Sequence, residues 1–442
     1  MFQNNLLMGA ASAGGAVPVI SVENSALFNS AASERLTLTP TASDDDINTM
    51  SCWVYRAKFT GALQYFWAAG TSGMSLVGFT ASEQLLVDRP GANVLTSTQL
   101  FRDIGWYHIV VGLDVTNAVA TNRVTVEVNG VEITTWATDN RAALTAGMFS
   151  WGDNIIHGIG ATGPGAAYFD GYIAEFTWIE ATKYSASDFG EYDTTGLYWT
   201  PKSSTDIKAL TFGAEGFYLD NTTNAQTDAS GNGNNWTNVN TVVTSTHTPT
   251  NTFSILNPLA QDGTNTLSNG NRNASQGADA GNVTTLAVDA EDTNGWYSEF
   301  TLTTTGTKES VGIFSADDTV TSALSGAGAS TAQPGCYSFK SNDGLKYHNG
   351  VSGSYGSTWA TNGKVLGIKL KSGELRFEID GADQGVAYTG ITGFYFMLCV
   401  HASGSGSSVW TVNSGQDDWE HDPGGSYKGV NTTNIAAATT RT

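Results

Sequence analysis

Short runs in which apolar and polar residues alternate recur along this chain, and a period of two is the spacing of a half-buried β-strand. Arg35–Thr39 (RLTLT) is an early example, and Met50–Phe59 (MSCWVYRAKF) places Trp53 and Tyr55 on one face. Tyr65–Trp67, Met74–Phe79 and Gln84–Val87 are short strands separated by Gly or Ser. Phe101–Val111 (FRDIGWYHIVV) alternates first and then becomes continuously apolar, as a strand in a sandwich core does. Arg123–Gly130 (RVTVEVNG) closes on Asn-Gly, the pair that suits a two-residue hairpin turn. Tyr168–Glu180 (YFDGYIAEFTWIE) sets Ile173, Phe176 and Trp178 among polar neighbours. No stretch carries the 3.6-residue period of a long amphipathic helix, so the pattern predicts an all-β protein.

The pattern breaks once and then returns. Gln261–Gly281 is rich in Asn, Gly, Ser and Thr and reads as a linker. Beyond it come Gly295–Leu302, Val311–Phe314, Gly335–Lys340, Lys346–Gly350, Lys364–Leu370, Glu374–Gly381 and Phe394–Val400, with Asp380-Gly381 as a second hairpin turn. The expected organisation is two antiparallel β-sandwich (jelly-roll) domains joined by a Gly/Asn/Ser-rich linker. An N-terminal docking arm is expected over 1–30, a first sandwich over 31–202 and a connector with linker over 203–282. A second sandwich follows over 283–416 and a C-terminal tail over 417–442.

Composition narrows the function classes. With 41 Asp+Glu against 20 Lys+Arg, the net charge of −21 repels phosphate backbones and excludes a nucleic-acid partner. No apolar run approaches the roughly 20 residues that span a bilayer as a helix, so no membrane insertion is expected. The three cysteines, Cys52, Cys336 and Cys399, are too few and too scattered for a disulfide framework or metal spacing, which suits assembly in a reducing cytoplasm. The N-terminus lacks a basic n-region and reads as mature sequence.

Several segments resemble known families. The "Trp-Tyr-His-Ile-Val" of 106–110, the "Val-Asn-Gly" of 128–130 and the "Phe-Asp-Gly-Tyr-Ile-Ala-Glu" of 169–175 resemble laminin-G/concanavalin-like lectin domains. Residues 283–416 resemble a SPRY domain in the order of Gly295–Leu302, Val311–Phe314, Gly335–Lys340, Lys364–Leu370 and the 374–381 hairpin. They depart from it at Ser298 and at Asp380-Gly381, where the family has Asn-Gly. Phe2–Ala10, Tyr168–Trp178, Phe189–Lys202, Gly216–Asp220, Asp228–Trp236 and Thr248–Leu259, in that order, resemble virion proteins of marine tailed phages. These resemblances imply two recognition sandwiches on a virus particle assembled in the host cytoplasm.

The candidate chemistry is sparse. Glu378 and Asp380 share one face of a strand, as in laminarinase-type glycoside hydrolases, but residues 381–384 supply no second glutamate for a two-carboxylate mechanism. The six histidines lack metal spacing, His108 reads as a satisfied core or inter-sheet residue, and no serine sits in a nucleophile elbow. The chain is therefore expected not to be an enzyme. Tyr347, His348 and Trp359, near the loops of the second sandwich, are the candidate ligand-facing set, because sugar rings pack on aromatic faces. Asp220 and Asp228, beside an Asn/Gly turn cluster, are candidate Ca2+ ligands.

The expected function is that of a tail fibre or other particle-surface adhesin recognising a host surface glycan or protein. A head fibre or decoration protein and a concanavalin-type glycan depolymerase are the alternatives. Partners are other virion proteins, reached through the N-terminal arm, and the host surface. Sandwich edges need partners, and fibres are built on cyclic symmetry, so a homotrimer is expected. Light scattering at micromolar concentration should return three times the 46.5 kDa chain mass, and a stable monomer would refute this.

Overall fold

A computed structural model describes residues 21–41, 46–59, 61–71, 74–318, 334–402 and 406–436. Its regular structure is almost wholly β-strand, in two compact units divided along the chain between Asn251 and Thr252. Each unit holds two large sheets, and nearly every strand pair is antiparallel.

In the first unit one sheet runs Val131–Glu132, Val124–Val128, Trp106–Asp114, Ile47–Arg56, Gly171–Glu180, Ser25–Phe28 and Val243–Ser245. Phe217–Leu219 also pairs with Gly171–Glu180. The facing sheet runs Trp136–Asp139, Ala92–Leu100, Gln84–Arg89, Ser75–Phe79, Gln64–Ala69, His157–Ile159, Arg35–Leu38 and Thr237–Val239. Alternation decides what lies between them: Met50, Cys52 and Val54 join Tyr107, Ile109 and Val111 in the core. Ile173, Phe176 and Trp178 share that core although their spacing is not a strict period of two. A bulge between Ala174 and Thr177, with Glu175 at φ +54°, absorbs the extra residue.

The same alternation sends Ser51, Trp53, Tyr55, Trp106, His108 and Tyr172 to the other face of the first sheet, where they are also buried. The chain beyond residue 180 folds back over them. Trp53 stacks on His108 at 4.8 Å, and His108 in turn stacks on Trp199 at 6.0 Å. His247 packs on Tyr172 at 4.4 Å and on Tyr55 at 4.6 Å.

In the second unit one sheet runs Leu256–Asp262, Ala280–Thr284, Phe394–His401, Glu309–Ser315, Cys336–Lys340, Leu345–His348 and Val351–Ser354. The other runs Asn265–Ser268, Asn273–Gln276, Ser408–Asn413, Trp296–Thr304, Lys364–Lys371, Glu374–Ile379 and Ala382–Tyr388. The hairpin turns form as their residues require: Asn129-Gly130, Asn349-Gly350 and Asp380-Gly381 all have positive φ at both positions.

The all-β, two-sandwich fold is as expected, but several boundaries move. The expected connector and linker over 203–282 is structured throughout. Its first part supplies Phe217–Leu219, Thr237–Val239 and Val243–Ser245 to the first unit, and its last part supplies Asn265–Ser268, Asn273–Gln276 and Ala280–Thr284 to the second. Its Asn and Gly residues occupy left-handed turn positions between short strands, as at Asn269, Gly270 and Asn271. Of the expected arm, residues 1–20 lie outside the described residues, while Ser25–Phe28 pairs with Tyr172 and its neighbours inside the first sheet. The expected tail is also integrated. Lys428–Gly429 pairs in parallel with Trp296–Tyr297, Val430 is fully buried, and a short helix spans Thr432–Ala436.

This organisation sets a truncation test. A chain ending at Asn251 should be soluble and melt cooperatively. One ending at Lys202 loses Phe217, Leu219 and Trp236 from the core, each side chain worth about 1.5–3 kcal/mol of burial, and should be insoluble. Equal solubility of the two would refute the assignment of 203–251 to the first unit.

Candidate ligand-binding surfaces

The second unit carries a partly exposed aromatic group at the rim of its two sheets. Tyr337 and His348 are direct cross-strand partners and stack nearly parallel, 3.9 Å between centroids at 4°. Tyr388, from the edge strand of the facing sheet, meets Tyr337 at 5.0 Å, and Tyr395 lies 6.0 Å from it. The Lys346 ammonium donates to the Ala387 carbonyl and stands 4.8 Å over the Tyr388 ring. His348 Nδ1 lies 3.1 Å from the Cys336 carbonyl, a contact that places a proton on Nδ1. The rims of these partly buried rings, with a few convergent polar groups, offer aromatic edges on which an apolar sugar face can pack.

The expected ligand set divides. His348 belongs to this platform. Tyr347 follows the alternation to the opposite face of the same strand, where its hydroxyl donates to Asp343 Oδ2 at 2.8 Å and Lys340 lies 5.3 Å from its ring. Trp359 is 1% exposed and packs between Phe339 and Trp410, so it is a core residue and cannot face a ligand. Neighbours in a strand cannot serve one ligand, and a tryptophan in a polar-looking loop can still be its anchor. Sequence reasoning missed Tyr337 and Tyr388. The Asn349-Gly350 turn fixes His348 opposite Val351, but nothing local announces that Tyr337 lies on the other side.

The carboxylates weighed for catalysis are engaged. Glu378 is 3% exposed, ion-paired with Lys369 and within 3.3 Å of the Tyr297 hydroxyl. Asp380 occupies the left-handed turn position and accepts from the Val365 N–H and from Lys364. Glu299, across Gly367 from Glu378, accepts the backbone N–H groups of Glu420 and His421. It thereby holds the segment after residue 414 against the sheet, with Trp419 packed 4.8 Å from Tyr297.

The proposed Ca2+ ligands are likewise occupied. Asp220 pairs with Lys208 at 3.0 Å through Oδ2 and accepts from Thr222 through Oδ1. Asp228 accepts from the Tyr218 and Ser230 N–H groups through Oδ1 and from Ser230 Oγ and the Asn234 N–H through Oδ2. Both carboxylates organise turns, and neither offers a free oxygen face for a cation.

Two buried histidines of the first unit are tied up in hydrogen bonds. Trp199 donates its indole N–H to His108 Nδ1 at 2.9 Å, so His108 Nε2 carries the proton and donates to Ser51 Oγ. Ser51 is therefore not activated by a base. Burial pulls His108 down to about 3 and His157 to about 4, so both are neutral at physiological pH.

The strained Glu175 is a strongly perturbed carboxylic acid of this unit. Burial pushes its carboxyl up to about 8 against the opposing hydrogen bond from the Tyr218 hydroxyl. Leu38, Pro40, Trp67, His157, Trp178, Glu215, Phe217 and Trp236 line a narrow cleft in the first unit.

With this geometry in hand, the comparisons can be stated. Residues 30–188 match the family model of the concanavalin A-like lectin/glucanases superfamily. That match stops short of the segment that covers the outer aromatic face. No curated protein matches the sequence. Among solved structures, the SPRY domain of human HERC1 is 13% identical, covering 37% of this chain and 99% of that one, with a TM-score of 0.31. The TRIM65 PSpry domain is 11% identical over 36% of this chain and 92% of its own, with a TM-score of 0.29. A Bacteroides ovatus protein named for an inferred carbohydrate-binding role is 16% identical over 50% of this chain and 59% of its own, with a TM-score of 0.37. At TM-scores this low the likeness says nothing of ligand or partner.

The raised Glu175 carboxyl gives a pH dependence with a definite sign. A carboxylic acid that is protonated in the fold up to about pH 8 but ionises near 4.3 when unfolded stabilises fully below 4.3. Its contribution is lost as pH rises through 8, at about 1.4 kcal/mol per pH unit. The first unit should therefore lose about 3 °C of melting temperature per pH unit between pH 5 and 8, and Glu175→Gln should flatten that slope in calorimetry. An unchanged slope in the variant would show that the acid is ionised in the fold.

Proposed function

We propose that this protein is a particle-surface adhesin of a tailed bacteriophage that binds a host surface glycan and does not cleave it. The observation that carries the reading is the partly buried aromatic cluster of Tyr337, His348 and Tyr388 at a sandwich rim. The lectin/glucanases-superfamily match over residues 30–188, which lie in the first unit, supports a sugar-recognition role for the chain without bearing on the second unit's cluster. Engagement of Glu378 with Lys369, and of Asp380 within its turn, supports binding without turnover. The order of segments resembling marine phage virion proteins supports placement on the particle, with the N-terminal segment docking on other virion proteins. In this reading the chain is a homotrimer, and several weak sites on one particle act together through high effective concentration.

Purified protein should bind host cells and envelope polysaccharide, and His348→Ala or Tyr388→Ala should weaken that binding about tenfold, the loss expected for about 1.4 kcal/mol of stacking. No new reducing ends should form. Release of oligosaccharide that disappears in Glu378→Gln would overturn the reading, as would undiminished binding by both platform variants.

A further inference from the structure

Val351–Ser354 is the last strand of its sheet and, among the described residues, pairs with Leu345–His348 alone. Two other edge strands of this unit carry devices that stop further pairing. Leu256–Asp262 has Pro258 and a break in register, and Ala382–Tyr388 has Asp383 and two such breaks. Val351–Ser354 (VSGS) has no proline, no charge and no bulge. Val351 is also 71% exposed, more than any other large apolar side chain among the described residues.

The hairpin decides which backbone groups are free. Across the two-residue turn Asn349-Gly350 the closing pair His348–Val351 is of the hydrogen-bonded kind. Gly353 therefore also points inward, while Ser352 and Ser354 direct their N–H and C=O away from the sheet. Alternation sets two rows of side chains running to this edge. Tyr337, His348 and Val351 succeed one another on one face, and Ser338, Tyr347 and Ser352 on the other. The Lys340 ammonium stands 5.3 Å over the Tyr347 ring and makes no ion pair among the described residues. Asp343, on the same face, already accepts from the Tyr347 hydroxyl and the Leu345 N–H. From Cys336 to Lys371 the sequence has five lysines and one acid, within a chain of net charge −21. This edge is thus a local cationic island.

We propose that Val351–Ser354 takes an added strand from another protein, an extended segment in which apolar and acidic residues alternate. The residue opposite Ser352 exchanges backbone hydrogen bonds with it and points its side chain to the Tyr347–Lys340 face, where a carboxylate meets an unpaired ammonium. The residues before and after it point to the Tyr337–His348–Val351 face, where apolar side chains cover Val351. A sugar lying on one face cannot use both rows, whereas a strand at the edge meets both. A second copy of this chain offers its own Val351–Ser354, which has no acid to place beside Lys340.

The test is fluorescence polarisation of the full chain with two labelled heptapeptides, one alternating Glu and Val and the other alternating Lys and Val. The Glu-Val peptide should bind saturably, one per chain, and protect the Ser352 and Ser354 amides from hydrogen exchange. The Lys-Val peptide should bind about fivefold more weakly, the change that one cross-strand charge pair of about 1 kcal/mol gives. Lys340→Glu should reverse that preference. Ser352→Pro removes an outward N–H without touching the hairpin's own ladder, so the fold should survive while peptide binding is lost. No saturable binding, equal binding of the two peptides, or full binding in Ser352→Pro would each overturn the proposal. So would an oligomer of the protein alone that Ser352→Pro dissolves, since the edge would then belong to a second copy. The probe is a peptide, so the result does not depend on what the aromatic platform binds.

Discussion

A β-sheet has two faces, and in each unit one sheet carries side chains on both that cannot be left in water. Strand alternation makes this unavoidable once Trp53, Tyr55, Trp106 and Tyr172 occupy the outward positions of strands whose inward positions are already core. The facing sheet covers one side. The other needs a separate layer, and the chain supplies it from residues C-terminal to the strands themselves. In the first unit the layer carries Phe189, Trp199 and His247. In the second it carries Trp419 and Tyr427 over Tyr297 and Lys369, with Glu299 gripping two backbone N–H groups from below. The polar groups of these faces are satisfied inside the layer, which is why histidines and glutamates found there are structural partners and not open chemistry.

That constraint also locates where ligands can act. With the outer faces of these two sheets closed, rims and turns remain. The Tyr337–His348–Tyr388 cluster is at a rim, and it depends on residues far apart in sequence brought together by strand register.

How much of this could be read from the chain follows from the range of each interaction. Strands and hairpins were legible because alternation and the Asn-Gly and Asp-Gly turns are local. Even the bulge at Glu175 leaves a trace in the three-residue step from Ile173 to Phe176. The domain boundary was not legible, because the Asn- and Gly-rich segments at 228–236 and 261–281 have the composition of a linker while forming tight, hydrogen-bonded turns between short strands. Of the ligand-facing residues only His348 joins the platform. Tyr347 was lost to alternation, and Trp359 to a core that no local pattern announces.

The position of the covering layers in the chain dictates an order of synthesis. Ser25–Phe28 is among the earliest described residues to leave the ribosome, yet it is hydrogen-bonded to Val243–Ser245, over two hundred residues later. Until that second strand emerges, Tyr55, Trp106 and Tyr172 have no roof, and the half-made first unit offers an aromatic surface to any neighbouring nascent chain. Completion at Asn251 precedes every strand of the second unit, so the two sandwiches mature one after the other and not in competition for the same hydrophobic partners. Pairings of such long sequence separation fold slowly, and a protein made this way rewards slow, vectorial production more than rapid release of the whole chain.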